Sequence, residues 1–167
     1  MNPLINALHP YPFEKLAKLL ADIKPNPEQE LIKLTIGEPQ HPAPAFVLDT
    51  LTQNLDKVSK YPGTKGTLEL RQSISNWCKR RFDLTQLDAD TQVLPVTGTR
   101  EALFAITQTL VDSSKANPTV ISPNPFYQIY EGATILAGAK LHFLAGNPEQ
   151  NYKIDYSKIS DQIWQDT

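Results

Sequence analysis

The sequence predicts an α/β fold in which helices cover a mainly parallel sheet. From residue 92 onward, short apolar runs alternate with segments of helical periodicity, which is the pattern of successive βαβ units. The 14 prolines fall between these segments and not in one tract, so they separate the elements. With 40% hydrophobic and 20% charged residues among 167, the chain has an ordinary globular composition and enough length for a core.

The first third of the chain is expected to form two helices and one strand. Apolar residues at helical spacing predict a helix over residues 13–23, which Pro25 stops. Residues 31–36 form a short apolar run that predicts a strand, which ends at Gly37. The next helix is expected over residues 47–58.

The middle of the chain predicts a helix, a strand and a second helix in that order. Residues 68–82 carry apolar side chains at helical spacing, with Thr67 in the position of an N-cap. Residues 92–96 predict a strand that leads into a tight turn at Gly98. The helix that follows is apolar on more than one side over residues 102–110, as expected of a helix packed on a sheet.

The last third predicts a βαβ unit. Strands are expected at residues 119–122 and 140–144, with a helix over residues 128–138 between them. A short extended piece is expected at residues 151–156, and residues 157–164 are expected to form the beginning of a helix. Three or so parallel strands are fewer than a usual sheet has, so we expect the chain to be part of a larger protein.

Charge and composition argue against several classes of function. A net charge of −2 gives no electrostatic support to nucleic-acid binding. The three histidines are far apart, so no metal site is predicted. The single cysteine, Cys78, excludes an intrachain disulfide. Because there is neither a leader peptide nor a run long enough to span a bilayer, we expect a cytoplasmic protein without membrane contact.

The turn at Gly98 is the strongest candidate for a ligand site. A strand that turns through glycine into a helix presents unpaired N–H groups at the positive end of the helix dipole, which suits a phosphate. Thr97 and Thr99 can add hydroxyl donors. Most such turns only connect two elements, so that simpler interpretation also stands.

Two tyrosines are candidates for contacts with the same ligand. Tyr127 follows the strand expected beside the Gly98 strand, where its ring could stack on a flat cofactor. With Tyr130 three residues later, it could equally belong to an apolar core stripe. Tyr61, in a loop with two glycines, is either a hydrogen-bond donor or a surface residue. No carboxylate pair, Ser/His/Asp set or reactive cysteine stands out.

Four motifs in this order resemble the class I/II aminotransferases of the fold-type I pyridoxal-phosphate superfamily. They are IGEP at residues 36–39, YPG at 61–63, GTREAL at 98–103 and PNPFYQIY at 123–130. The sequences of residues 1–3, 10–16 and 124–132 more closely resemble bacterial succinyldiaminopimelate aminotransferases of lysine biosynthesis. Each motif is weak alone, and together they cover essentially the whole chain.

The resemblance implies a particular architecture. The family fold is a three-layer sandwich with a mainly parallel sheet, of which this chain would be an incomplete N-terminal part. Residues 1–45 would be the N-terminal arm, a helix and the first strand, contributed to the small domain. Residues 46–167 would be the N-terminal part of the large domain, which binds pyridoxal phosphate.

The resemblance also implies pyridoxal 5′-phosphate as the cofactor and assigns residues to it. Gly98, Thr99 and Arg100 would offer donors to the cofactor phosphate. Tyr127 matches the aromatic residue that stacks on the pyridine ring. Tyr61 matches the tyrosine that reaches the phosphate of the neighbouring subunit, which implies a homodimer.

The implied reaction transfers an amino group from glutamate to an N-succinyl keto acid in lysine and diaminopimelate biosynthesis. Gly37 matches the glycine near the substrate carboxylate. The family's cofactor-bearing lysine matches no lysine of this sequence, so we expect no catalytic residue among these 167 and no transamination by them alone.

Three alternatives stay open. The chain could belong to an aminotransferase with a different amino-acid substrate. It could belong to a non-catalytic aminotransferase-like module, as in transcription regulators that sense pyridoxal phosphate. It could also be an inactive, truncated gene product.

Overall fold

The computed structural model describes all 167 residues. They form two compact units, one made of Met1–Leu19 with Val96–Thr167 and the other of Leu20–Pro95. The predicted division of the chain at residue 45 into arm and large domain stays a prediction. No helix combines the length and the apolar character needed to cross a bilayer.

The first unit contains the arm and the predicted βαβ unit. Its helices and strands are α1 (Pro12–Leu20), α4 (Thr99–Leu110), β1 (Thr119–Asn124), α5 (Gln128–Leu136), β2 (Lys140–Ala145) and α6 (Asp161–Asp166). The arm forms a 3-10 turn over Pro3–Ala7. The second unit contains α2 (Ala45–Gln53) and α3 (Leu68–Phe82).

The βαβ unit is built as its sequence predicts. Strands β1 and β2 pair in parallel, from Thr119 opposite Lys140 to Asn124 opposite Ala145, with α5 between them in the chain. Helix α5 ends at Leu136, and Gly138, whose φ of +77° is accessible to glycine, follows the C-cap Ala137 before the chain enters β2. These elements place the residues that follow β1 next to the start of α5.

Helix α5 packs on α4 through a small buried patch. Ala133 is 1% exposed and Thr134 is fully buried. The Gln108 side chain donates a 2.8 Å hydrogen bond to the Ala133 carbonyl. This bond joins the last turn of α4 to the middle of α5.

Two predicted strands are absent, and those predictions were wrong. The sheet has only two strands, whereas residues 31–36 and 92–96 adopt no strand structure. A strand requires a hydrogen-bonded neighbour, and neither segment has one. The side chains of Ile32 and Leu34 are accordingly 78% and 88% exposed, and Pro95 lacks the N–H that a ladder would use.

Several helix bounds also differ from the prediction. The helix expected over 47–58 ends at Gln53, and a 3-10 turn follows over Leu55–Ser59. The extended piece expected at 151–156 is a turn region with one bridge between Asn147 and Lys153. The last helix begins at Asp161, where the Ser160 side chain caps it.

Much apolar surface is left uncovered. The chain exposes 14336 Å², whereas two separate compact units of the same total mass would expose about 10,000 Å². The only buried apolar residues are Ala133, Leu144 and Ile159. This outcome agrees with the expectation of an incomplete sheet and core.

Candidate functional site

The turn at Gly98 has the geometry of an open helix N-terminus. Gly98 is the N-cap of α4 with φ +136° and ψ +141°, a conformation that side chains with a Cβ rarely adopt. The first helical hydrogen bond runs from the Ala102 N–H to the Gly98 carbonyl, and no side chain caps the turn. The N–H groups of Thr99, Arg100 and Glu101 are therefore left for an external acceptor.

A carboxylate lies at this turn, which sequence reasoning missed. A Cβ built on Gly98 would collide with the carboxylate of Glu101. Glu101 is the third residue of α4, where the helix dipole favours a negative charge. The signal in the sequence was an acidic residue three positions after the glycine. In this structure the carboxylate lies at the place that suits an anion.

Arg100 lies beside the start of α5 and the N-terminal arm. It lines a cavity of about 190 Å³ together with Gln128, Leu8 and His9. The imidazole Nδ1 of His9 is 3.1 Å from a carboxylate oxygen of Glu131 on α5. The structure thus brings the first turns of α4 and α5 and the arm to one place.

Tyr127 is placed at the N-terminus of α5 with an accessible ring. It is the N-cap residue of that helix and is 47% exposed, and it follows the cis Asn124–Pro125 peptide. Its ring packs edge-on against Tyr130, with centroids 5.9 Å apart. Both interpretations of the tyrosine pair therefore have a physical basis, since packing on Tyr130 leaves part of the Tyr127 ring free for stacking.

Tyr61 and Gly37 belong to the second unit. The side chain of Tyr61 is fully exposed in the loop between α2 and α3. A Cβ built on Gly37 would meet nothing within 4 Å, so the surroundings give no steric reason for glycine there. The roles assigned to both residues stay predictions.

The second unit also holds an ion pair between a buried arginine and an exposed aspartate, which sequence reasoning did not single out. Arg71 of α3 is 7% exposed, and its guanidinium lies 2.8 Å from the carboxylate of Asp90. The signal was an arginine inside an apolar helical pattern, followed later by Asp88 and Asp90 in the polar link after the helix. We call these two residues the Arg71–Asp90 pair.

Sequence comparison gives the family. Residues 29–167 match the family described as aminotransferase class I and II. The chain belongs to this family. Its members depend on pyridoxal phosphate, and the class predicted from the motifs is confirmed.

Relatives and solved structures agree with this assignment. An LL-diaminopimelate aminotransferase of Dehalococcoides mccartyi is 30% identical over 161 residues, which are 95% of this chain and 40% of the relative. An aminotransferase structure from Neisseria meningitidis is 45% identical with a TM-score of 0.90, covering all of this chain and 42% of that one. An aminotransferase AspB structure from Helicobacter pylori is 32% identical with a TM-score of 0.83, covering 96% of this chain and 41% of that one.

These comparisons confirm the fold class and its partial extent. The structural neighbours are fold-type I aminotransferases, and this α/β chain with a small parallel sheet matches their N-terminal part. The chain spans about two fifths of the length of the relatives it matches.

The residues present suit pyridoxal phosphate. The uncapped turn at Gly98 offers N–H donors to a phosphate group, and the cationic Arg100 is part of that turn. The exposed ring of Tyr127 offers a flat apolar surface to a pyridine ring. The donor set and the aromatic surface thus match the two ends of the cofactor.

Proposed function

We propose that the chain supplies the phosphate-binding half of an aminotransferase site. The observation that supports this most directly is the first turn of α4, where Gly98 at φ +136° precedes three N–H groups without an intrahelical acceptor. Family membership gives that turn a ligand, because pyridoxal phosphate carries a dianionic phosphate.

Each residue of this half-site has a role that follows from its chemistry. The backbone N–H groups of Thr99 and Arg100 donate to the phosphate oxygens, and the Thr99 hydroxyl adds a further donor. The Arg100 guanidinium supplies the opposite charge and can bond two oxygens at once. The Tyr127 ring covers one face of the pyridine ring and excludes water from it. The bound cofactor supplies the electron sink for amino transfer.

Two further roles concern the assembled enzyme. Tyr61 is fully exposed, so its phenol is free to donate to the cofactor phosphate of a second subunit in a homodimer. Gly37 would lie near the substrate carboxylate. Both proposals are supported by the family motifs around these residues.

The 167 residues alone are proposed to bind and orient without catalysing the reaction. None of their lysines matches the family's cofactor-bearing lysine. We propose that the whole enzyme acts in the cytoplasm on an amino-acid donor and a keto-acid acceptor.

For the substrate we propose glutamate as the donor and an N-succinyl keto acid of diaminopimelate biosynthesis as the acceptor. The names of the relatives support the diaminopimelate type, and the motifs at residues 10–16 and 124–132 support the succinylated form. An aminotransferase for another amino acid is the alternative, since the similar AspB protein is named only as an aminotransferase.

The substrate is tested with the complete enzyme that carries this segment. Amino transfer to 2-oxoglutarate is measured from N-succinyl-LL-diaminopimelate, from free LL-diaminopimelate and from aspartate. The proposal expects the highest kcat/KM with the succinylated amine. A preference for the free amine would replace it with an LL-diaminopimelate substrate, and a preference for aspartate would refute both forms.

Cofactor binding is tested on the chain itself with pyridoxamine 5′-phosphate, which lacks the aldehyde that reacts with surface lysines. Calorimetric titration is compared with pyridoxamine, the same ring without the phosphate. The proposal expects binding of the phosphorylated compound only. Equal binding of both compounds, or no binding of either, would contradict it.

A further inference from the structure

We propose that His9 is a positioning residue for the cofactor site, because it pairs with Glu131 and so leaves the Arg100 guanidinium free for the cofactor phosphate. The inference rests on the proposed role of Arg100 in binding that phosphate. Its electrostatic part, that Glu131 turns to Arg100 once His9 is lost, can be tested without any cofactor.

The end of the N-terminal arm lies on the first half of α5. The 3-10 turn of the arm, Pro3–Ala7, ends at its C-cap residue Leu8. The Leu8 side chain is 4.0 Å from the position that a Cβ on Gly132 would take. The imidazole Nδ1 of His9 is 3.1 Å from a carboxylate oxygen of Glu131. Two consecutive residues of the arm thus meet two consecutive residues of α5, and this contact places the imidazole beside the carboxylate.

The carboxylate of Glu131 is largely removed from water and needs a cationic partner. The Glu131 side chain is 18% exposed, whereas that of His9 is 65% exposed. A carboxylate that leaves water is costly unless a positive charge lies beside it. A protonated His9 supplies that charge, and no other cation of the chain lies within ion-pair distance of Glu131.

Arg100 is the other cation that lines the same cavity. The cavity of about 190 Å³ is lined by His9 of the arm, by Arg100 in the first turn of α4 and by Glu131 of α5, and by no other charged side chain. Arg100 forms no ion pair, and the neighbouring Glu101 has its carboxylate against Gly98. The Arg100 guanidinium is therefore the cation of this cavity that Glu131 would take if His9 were absent.

An unpaired guanidinium is what the cofactor phosphate requires. The N–H groups of an arginine bond two phosphate oxygens at once when no other acceptor occupies them. A carboxylate on Arg100 would use these donors and would offset the charge that attracts the phosphate. His9 thus acts on the phosphate only through Glu131. Because His9 is largely exposed, the pair adds little to stability, so a chain without it should still fold.

His41 and Glu149 provide matched controls. His41 is exposed in the second unit, and Glu149 is exposed in the first unit after β2. Neither forms an ion pair or lines the cavity. His41→Gln and Glu149→Gln therefore repeat the chemical changes of His9→Gln and Glu131→Gln at residues outside the cavity.

The first test is nuclear magnetic resonance of the cofactor-free chain at pH 5.5, where an ordinary imidazole is protonated. The Nε–Hε signal of Arg100 reports whether its guanidinium is paired. Glu131→Gln should move this signal at least about twice as far in the His9→Gln chain as in the parent chain, because only there does it remove a partner of Arg100. In a His9→Lys chain, which keeps a cation, Glu131→Gln should move it no further than in the parent. Equal movement in the His9→Gln and parent chains would overturn the inference.

The second test is calorimetric titration with pyridoxamine 5′-phosphate at the same pH. His9→Gln is expected to bind at least about threefold more weakly than the parent chain. The double variant His9→Gln with Glu131→Gln should return to within about twofold of the parent, because the competing carboxylate is gone, and both control variants should stay within the same range. A double variant as weak as His9→Gln would mean that His9 acts through the structure of the arm, and this result would overturn the inference.

The two tests also separate the inference from the proposed function. If the parent chain binds no pyridoxamine 5′-phosphate, the proposed function fails, and the Arg100 signal still decides whether His9 keeps Glu131 from Arg100. If the parent binds and the His9→Gln chain binds equally well, the positioning role is refuted and the proposed function stands.

Discussion

The carboxylate of Glu101 lies against Gly98, in the space where a Cβ would stand. The same turn presents the uncapped N–H groups that we assign to the cofactor phosphate. A carboxylate and a phosphate are both anions, and both are favoured by the helix dipole. Glu101 is therefore a competitor that must move away or be tolerated when phosphate binds.

Replacing Glu101 by Gln should tighten phosphate binding. Two charges of the same sign separated by about 4 Å in water repel by about 1 kcal/mol, so affinity for pyridoxamine 5′-phosphate is expected to rise roughly fivefold at low salt. The gain should shrink as ionic strength rises, since salt screens exposed charges. Calorimetric titration at two salt concentrations measures both effects.

The matched control is Glu28→Gln, which changes the net charge equally. Glu28 is exposed in the second unit, and its carboxylate forms no ion pair. If Glu28→Gln tightened binding as much as Glu101→Gln, the effect would come from overall charge and not from the turn.

Replacing Gly98 by Ala should destabilise the chain. The φ of +136° is strained for any residue with a Cβ, so we expect a loss of about 1–3 kcal/mol in the free energy of unfolding. Urea denaturation measures it. Phosphate affinity should fall in the same variant, because the backbone would relax away from the geometry that exposes the N–H groups.

Gly132 in the middle of α5 is the counterpart. A Cβ there would meet only the Leu8 side chain, at 4.0 Å. Gly132→Ala is therefore expected to stabilise the chain by about 0.5–1 kcal/mol. A Gly98→Ala chain that matched the parent in both stability and affinity would disprove the special role of the turn.

Local patterns predicted the helices well because the information they use lies within a few residues. Thr67 accepts a hydrogen bond from the Leu70 N–H and starts α3 where the sequence placed it. The strands at 31–36 and 92–96 failed for the opposite reason. A strand depends on a neighbouring chain segment, and an apolar run cannot show whether that neighbour is present.

The site divides in the same way. The Gly98 turn was recognisable because an apolar run, a glycine and a helical pattern are consecutive in sequence. The Arg71–Asp90 pair joins residues 19 apart, and no local pattern showed that a guanidinium inside an apolar helix face would meet residues 89 and 90. The Glu101 carboxylate reaches Gly98 only in one orientation of its side chain. The spacing of the two residues allows that orientation but does not select it from the others.

The ring of Tyr127 should contribute stacking energy to cofactor binding. Tyr127→Phe keeps the ring and is expected to bind pyridoxamine 5′-phosphate within about twofold of the parent chain. Tyr127→Ala removes the ring, at a cost of about 0.5–1.5 kcal/mol or roughly 2- to 12-fold in affinity. Tyr156→Ala, at another exposed tyrosine, is the control. A Tyr127→Ala chain with parental affinity would leave Tyr127 with only its packing contact to Tyr130.

Stability should fall at acidic pH partly through Asp90. The hydrogen bond from Arg71, and then the charge of Lys65, hold the pKa of the Asp90 carboxyl below its usual value of 3.8. A pKa lowered by folding stabilises the folded chain above the unfolded-state value, and this contribution is lost as pH falls through the folded-state value. We therefore expect the free energy of unfolding to decline below about pH 4.

Variants separate the contribution of Asp90 to the acid-induced loss of stability from the contributions of the other carboxyl groups. The pKa values of Asp88, Asp112 and Asp155 are also lowered, chiefly by hydrogen bonds from neighbouring hydroxyls, so part of the acid decline will remain in Asp90→Asn. That variant should be less stable at neutral pH and show a shallower decline. Asp49→Asn, at an exposed position on α2, should keep the parental slope. If the free energy of unfolding of Asp90→Asn fell with pH as steeply as that of the parent chain, Asp90 would not contribute to the decline.

The uncovered apolar faces should make the isolated chain self-associate. Helix α2 buries no residue, and Phe46, Leu48 and Leu51 on it are 71%, 54% and 57% exposed. Contiguous apolar surface of this kind drives association. We expect concentration-dependent oligomers in sedimentation velocity and strong binding of the dye ANS. Phe46→Glu combined with Leu51→Glu should reduce both without lowering the free energy of unfolding, because neither side chain is buried. A parent chain that stayed monomeric at high concentration and bound no dye would contradict this prediction, and it would mean that the exposed faces need no partner.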